Sequence, residues 1–302
     1  MRIAVTGARG FIGRHLTEHL AGRGHEVVPV NRDDWDLTSE VSPAALISGC
    51  DAVVHLAALV HVRGRPGDAA FARTMIETNL RGTERLARAA VAAGVARFVF
   101  LSSAAAYGRA TGGRAVDEAT PLDPVTPYGQ SKRAAEETLR GIAQDTGLVT
   151  VALRPPLVYG PGAPGNFARL VWLASRGLPV PSGALQARRA NISVTNLCGL
   201  VACALAVDHP QRAAYVAAEP ARPIGDIYRG LCAAAGRRPR IVPLPRGALR
   251  LALNAIGRSA AARTVLDDFI MDATAARREL GWTPQDLFTE ELARAMAAAR
   301  RS

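Results

Sequence analysis

Lysine is almost absent from this 302-residue chain: of 37 Lys and Arg residues, one is lysine, Lys132, and the other 36 are arginine. Aromatic residues make up 5% and there are four cysteines. Each scarcity excludes something. Cys50, Cys198, Cys203 and Cys232 lack metal or redox spacing and sit among apolar residues. They read as reduced core thiols of a cytoplasmic protein, not as a disulfide frame or zinc ligands. No apolar run approaches the ~20 residues of a membrane span, and no signal-peptide layout precedes the first apolar run. The net charge of +11 lies on scattered arginines with few aromatics between them. That pattern fits anionic small ligands better than nucleic acid. Neither a nucleic-acid nor a membrane partner is expected, and no repeat or metal motif stands out.

The one lysine sits in Thr126-Pro-Tyr-Gly-Gln-Ser-Lys132. Thr126 followed by proline reads as a helix N-cap with proline at the first helical position. Tyr128 and Lys132 then share one helix face. A phenol titrates near ~10 in isolation, and a neighbouring cation favours the phenolate. A compact ammonium can also donate to ribose hydroxyls where a guanidinium is too large. The pair therefore predicts a tyrosine acid/base assisted by a lysine.

Strand and helix patterns alternate from the start, which predicts an α/β fold: a Rossmann-type doubly wound parallel sheet with a smaller C-terminal substrate-binding lobe. The expected division is residues 1–164 and 165–302, with some later segments returning to the sheet. Gly7, Gly10 and Gly13 form a GxxGxxG turn after the first strand, where helical backbone amides at Phe11 and Ile12 meet a pyrophosphate. The second strand ends at Asn31-Arg32, where Arg32 can pair with a 2′-phosphate; Asp33 and Asp34 follow. NADP is thereby favoured over NAD. Asp36 and Leu37 begin the adenine-side loop. Leu56, Ala57 and Ala58 end a third strand with residues small enough for backbone to lie along a cofactor, and His55 there reads as a core histidine. A long helix over 67–93 carries Asn79, which can anchor a neighbouring strand end. The fourth strand ends in Ser102-Ser103, whose hydroxyls are expected to face the ligand crevice. Pro155 and Val158 lie in a rigid turn closing the nicotinamide end. In the C-terminal lobe, Arg188-Arg189 is a candidate phosphate clamp.

Taken together, Thr6-Gly-x-x-Gly-Phe-x-Gly13, Asp51-x-Val-x-His-Leu-Ala-Ala58, Ser102-Ser103, Tyr128-x-x-Ser-Lys132 and Arg154-Pro-x-x-Val-Tyr-Gly-Pro161 resemble the extended short-chain dehydrogenase/reductases. Within these the chain is similar to the NAD-dependent epimerase/dehydratase family acting on nucleotide sugars. The resemblance implies that Tyr128 is the acid/base, Lys132 binds the nicotinamide ribose, Ser103 holds the reacting oxygen, and Asn166, Arg189 and Arg263 contact a diphosphate. It also implies a homodimer packed through the two long helices, whose Ala87, Ala90, Ala134 and Ala135 suit close packing. Family members that eliminate water carry an Asp-Glu pair where this chain has Ala104 and Ala105, so dehydration is not expected. The remaining outcomes are reduction of a 4-keto sugar on a UDP-linked hexose, which Asn31-Arg32 favours, or 4-epimerisation of such a hexose. NADP-dependent reduction of a hydrophobic ketone, of steroid or dihydroflavonol type, is a further alternative. A non-catalytic dinucleotide sensor is disfavoured, because both Tyr128 and Lys132 are present.

Overall fold

The structure, a computed structural model, describes residues 1–60, 69–108 and 114–301. Its main sheet grows from the short apolar runs of the first half. β1 (Arg2–Thr6), β2 (Glu26–Val30), β3 (Ala52–His55) and β4 (Arg97–Leu101) are separated by α1 (Phe11–Ala21) and α2 (Ala69–Ala92) where a helix intervenes. A two-residue strand, β5 (Ala115–Val116), precedes α3 (Pro127–Thr146), and β6 (Val149–Arg154) rejoins the sheet. β7 (Leu157–Tyr159), α4 (Gly165–Arg176), β8 (Val180–Pro181), β9 (Arg188–Ser193) and α5 (Val194–Ala206) follow. β10 (Ala214–Val216) then adds the sixth strand. β11 (Glu219–Pro223), α6 (Ile224–Ala234), β12 (Ile241–Val242), α7 (Arg246–Ala255), α8 (Ser259–Leu266), β13 (Ile270–Met271), α9 (Thr274–Glu279) and α10 (Phe288–Arg301) bring the chain to its end. The helix expected over 67–93 is observed from Ala69; residues 67 and 68 lie outside the described residues.

The main sheet has the order β10-β6-β4-β3-β1-β2 and is parallel throughout. It is covered on both faces, as a parallel sheet requires. On one side α1 and α5 pack through Leu16, Leu20, Leu197 and Val201. On the other, α2 and α3 pack through Leu86, Ala90, Ala135 and Leu139. Strand order reverses between β1 and β3, and ligands of such sheets bind outside the carboxyl ends of the strands at that reversal. A separate core joins Phe167 and Val171 of α4, Tyr228 and Leu231 of α6, and Leu292 and Met296 of α10. The alanine argument for a partner interface needs correction. Ala87, Ala90 and Ala135 are at most 1% exposed and belong to the core beneath α2 and α3 of this same chain. Small residues there let the two helices approach the sheet and are spent within the subunit.

The placement of α3 rests on two contacts. Thr126 caps it, its hydroxyl accepting from the Gly129 N–H at 3.1 Å. At Gly129 a Cβ would lie 2.3 Å from the Ala105 carbonyl oxygen, so only glycine lets α3 sit against the turn after β4. Two helical turns further in, Glu136 meets Arg154 at the end of β6. The Arg154 Nη2 donates to Glu136 at 2.6 Å and its Nε at 3.1 Å, with both side chains under 5% exposed. The Ser102 hydroxyl donates to the same carboxylate, and Arg154 Nη1 donates to the Tyr107 hydroxyl at 2.9 Å. Glu136→Ala strands a buried guanidinium and is expected to cost about 3–5 kcal/mol in urea unfolding. The double variant Glu136→Met/Arg154→Leu is expected to recover most of that loss. A single variant as stable as wild type would mean that the pair does not hold α3.

Candidate active site

Tyr128, Lys132 and Glu136 stand one above another on the inner face of α3, at the i, i+4, i+8 spacing of one helix stripe. The Ser102-Ser103 pair divides, because consecutive residues of extended chain point to opposite sides. Ser102 is buried and turned to Glu136, which corrects the expectation that both hydroxyls face the crevice. Ser103 opens the 104–106 turn, its Oγ accepting from the Ala105 N–H at 3.1 Å. It also faces the Tyr128 phenol, where its hydroxyl favours the phenolate.

The lysine is placed differently from the simple pairing. Its Nζ donates to the Leu101 carbonyl at 2.8 Å, lies 4.5 Å from the Phe100 ring centroid, and is 5.7 Å from that of Tyr128. Burial pushes the Tyr128 phenol up to about 12, with only the Ser103 hydroxyl opposing it. Burial pulls Lys132 down to about 7, opposed by Glu136. The phenol therefore keeps its proton at neutral pH, and the cation expected to lower it is directed at the strand end instead. Beneath them His55 is a neutral core residue. It bonds the Thr6 hydroxyl at 2.6 Å and that of Thr83 at 3.1 Å, and burial holds its pKa to about 3.

The glycine turn opens α1 with Gly10 as an N-cap that carries no side chain and with no acid in the first turn. Its leading N–H groups, at Phe11 and Ile12, are left for an anion. At Gly13 a Cβ would fall 2.2 Å from the Gly7 carbonyl oxygen, so the turn closes only with glycine there. Gly7 lies against Leu56 and Ala57 after β3. Asn79 is buried and holds the same segment: its Oδ1 accepts from the Leu59 N–H at 2.7 Å and its Nδ2 donates to the Leu59 carbonyl at 3.0 Å and to Ser131 Oγ at 3.0 Å. Ala58 precedes this anchor. Pro155 accepts from the Ala104 N–H at 2.8 Å, tying the turn after β6 to the Ser103 turn, and Val158 of β7 packs against the main core. These features fit a dinucleotide: an uncapped helix end, a closed glycine turn and a backbone shelf along β3.

The adenine side is more balanced in charge than the sequence suggested. Asn31 Oδ1 accepts from the Arg9 N–H at 2.9 Å. Arg32 donates to Asp36 at 2.5 Å, and Arg9 to Asp33 at 2.6 Å. The other Asp36 oxygen accepts from the Thr38 hydroxyl at 2.5 Å and the Thr38 backbone N–H at 2.8 Å, and these two bonds above all hold its carboxyl below the usual range. Leu37 packs on Gly82 of α2. Arg9 and its acid are the functional candidates that sequence reading missed; adjacency of Arg9 to the glycine turn was the available signal.

In the C-terminal lobe the Arg188-Arg189 pair also separates. Arg188 is exposed and donates to the Ala221 carbonyl at 3.2 Å. Arg189 is half-buried, donates to the Asp267 carbonyl at 2.9 Å and lies 5.4 Å from the Phe269 ring centroid; burial lowers its pKa. Arg246 and Arg250 reach the Asp267 carboxylate, at 3.3 and 2.5 Å. Arg263 is exposed one turn earlier on α8, and its carbonyl accepts from the Asp267 N–H. Arg189 and Arg263 are thus brought to the same end of α8. Asn166 is exposed in the first turn of α4, and among the described residues no hydrogen bond or ion pair joins it to that group.

The lysine gives a pH test. Its folded value near 7 lies below the unfolded ~10.5, so between them the unfolded chain binds more protons and stability rises with pH. Below about 7 the penalty of burying the ammonium is complete. Lys132→Met is expected to raise the melting temperature at about pH 6, with the gain shrinking as pH climbs towards ~10. A gain independent of pH would contradict the buried ammonium.

Residues 3–218 match the family described as NAD dependent epimerase/dehydratase. The UDP-glucose 4-epimerase of Vibrio cholerae is 30% identical over 95% of this chain and 92% of its own. A ceramide reductase of Caulobacter vibrioides is 33% identical over 80% of this chain and 73% of its own. Among solved structures, MoeE5 in complex with UDP-glucose and NAD superposes with a TM-score of 0.80, at 29% identity over 100% of this chain and 99% of that one. The glycine turn after β1, the strand-end serine after β4 and Tyr128-x-x-x-Lys132 on α3 thus belong to a chain of the NAD-dependent epimerase/dehydratase family of enzymes.

Proposed function

We propose that the chain interconverts C4–OH and C4=O on a UDP-linked hexose, and that its outcome is 4-epimerisation with NAD. The observation that carries the chemistry is Tyr128 one helical turn from buried Lys132 on α3, with the Lys132 ammonium 5.7 Å from the phenol ring centroid and bound to the Leu101 carbonyl at the carboxyl edge of the sheet. A nicotinamide dinucleotide would supply the hydride acceptor and donor for C4. Gly7, Gly10 and Gly13, with the Phe11 and Ile12 amides, would hold its diphosphate. Asn31, Arg32, Asp36 and Leu37 would border its adenosine, and Leu56, Ala57, Ala58, Asn79, Pro155 and Val158 would line the remainder.

Tyr128 moves the proton of the sugar hydroxyl. With its phenol held near 12 it rests as an acid, ready to protonate a carbonyl oxygen, and it becomes a base only when a cation comes close. Lys132 is that cation once its ammonium turns from the Leu101 carbonyl to a ribose hydroxyl. Ser103 fixes the oxygen that gains or loses the proton. Ala104 and Ala105 cannot transfer protons, which removes elimination of water.

Two features support NAD and the returned hydride. Arg32 and Arg9 are each matched by an acid, so a 2′-phosphate would meet Asp33 and Asp36 as well as the guanidiniums. The Vibrio cholerae relative is a 4-epimerase, and MoeE5 was solved with UDP-glucose and NAD. Similarity to the ceramide reductase favours a hydrophobic ketone as a second reading. Half-buried Arg189, desolvated enough to bond a diphosphate strongly, favours the sugar nucleotide. Asn166 and Arg263 would assist it.

UDP-glucose deuterated at C4 separates these readings. Epimerisation predicts UDP-galactose that keeps the label, formed without consuming NADPH. Stoichiometric NADPH consumption on a 4-keto sugar, or on a ketone lacking phosphate, would replace this reading. Arg189→Ala is expected to raise KM for UDP-glucose about tenfold to a hundredfold, with a smaller change in kcat. An unchanged KM would remove Arg189 from the substrate site.

A further inference from the structure

From residue 227 to residue 266 the chain carries eight arginines and no Asp or Glu, a run of 40 residues. The same stretch contains α7, which buries none of its ten residues although six of them are Leu or Ala. An amphipathic helix in a globular fold normally hides its apolar side. Here Leu251 is 73% exposed and Ile256, at the helix end, 66%. Among the described residues, six of the eleven large apolar side chains classed as exposed fall in one connected strip: Trp172, Ile241, Val242, Leu251, Ile256 and Val265.

Contacts between elements make the strip continuous. Trp172 lies near the end of α4, stacked 4.9 Å from the Arg176 guanidinium. Gly177 touches Arg237. β12, with Ile241 and Val242, pairs with β8 just after α4. The Gly183 N–H donates to the Leu244 carbonyl at 2.9 Å, which sets α7 beside the turn after β8. Arg246 and Arg250 bind Asp267 and fasten α7 to the end of α8. Arg237, Arg238, Arg240 and Arg258 are exposed and make no ion pair among the described residues.

We propose that this strip, from the end of α4 through β12 to the α7–α8 hairpin, docks reversibly on an anionic lipid bilayer. The occupant follows from chemistry. Apolar tips flanked by unpaired arginines match an interface where hydrocarbon lies just below negative headgroups. A second copy of the strip would set like charge against like. A neutral apolar partner would leave four guanidiniums without counter-charge. The expectation of no membrane partner rested on the lack of a spanning segment, and among the described residues no helix is long and apolar enough to cross a bilayer. Lying on the surface needs neither. The proposal does not depend on which carbonyl compound the active site takes.

The full-length protein is mixed with sedimenting vesicles of phosphatidylcholine alone or with about one-third phosphatidylglycerol. Binding to the anionic vesicles only, weakened at about 0.5 M sodium chloride, is expected. Leu251→Ser/Ile256→Ser keeps the charge and, both sites being exposed, the fold, which circular dichroism checks. It is expected to lower partitioning about tenfold. Arg23→Glu, exposed in the turn after α1, is expected to change it less than about twofold. Absence of the wild type from the anionic vesicles overturns the proposal. So does equal partitioning of the serine variant and wild type, or a loss with Arg23→Glu as large as with the serine pair, since either would reduce binding to net charge. Capture by an acidic protein surface with no vesicle binding would also overturn it.

Discussion

Everything at the carboxyl edge of the sheet depends on the buried pair of Glu136 and Arg154. A buried ion pair is a poor source of stability, because desolvation consumes most of its Coulombic gain. What it supplies is position. The carboxylate also receives Ser102, the guanidinium also reaches Tyr107, and α3 is thereby locked to the ends of β4 and β6. Tyr128 and Lys132 stand two turns and one turn earlier on that helix and inherit its placement. Residues that must be held to within a fraction of an ångström are thus carried by a helix and strand ends rather than by mobile loops.

The same burial explains why one basic residue is lysine. A guanidinium stays protonated under all ordinary conditions, whereas an ammonium can be brought near neutrality by desolvation. At Lys132 it is brought to about 7 while resting on a backbone carbonyl. Such a group can respond when a polar ligand enters and changes its surroundings. Elsewhere arginine serves well: in the buried fork with Glu136, in the surface pairs along α2, and around Asp267 where three arginines converge.

Local signals were legible in the sequence. The glycine turn, the Thr126-Pro127 cap, the strand-helix alternation and the one-face spacing of Tyr128 and Lys132 each need only neighbouring residues, and the parallel sheet with covered faces follows from them. What escaped were facts set by distant partners. Ser102 and Ser103 look alike in sequence, and only Glu136, 34 residues away, separates them. Arg188 and Arg189 part because strand neighbours face opposite ways. The alanines of α2 and α3 suggested an outer surface, and it is the sheet beneath that claims them. Lys132 was expected to act on the tyrosine, but at rest the Leu101 carbonyl competes for its proton. Two hints were overlooked: Glu136 continues the stripe of Lys132, and the acid-free run from residue 227 was visible in composition alone.

The account stands or falls on Tyr128 as the group that moves the proton. The direct measurement is a single-turnover comparison of wild type and Tyr128→Phe, both loaded with NAD and mixed with UDP-glucose, following the near-ultraviolet absorbance of reduced nicotinamide. The account predicts that the phenylalanine variant binds both ligands normally and oxidises the sugar about 10²–10⁴-fold more slowly. A variant within threefold or so of wild type would contradict it, because the proton would then leave by a route that needs no phenol.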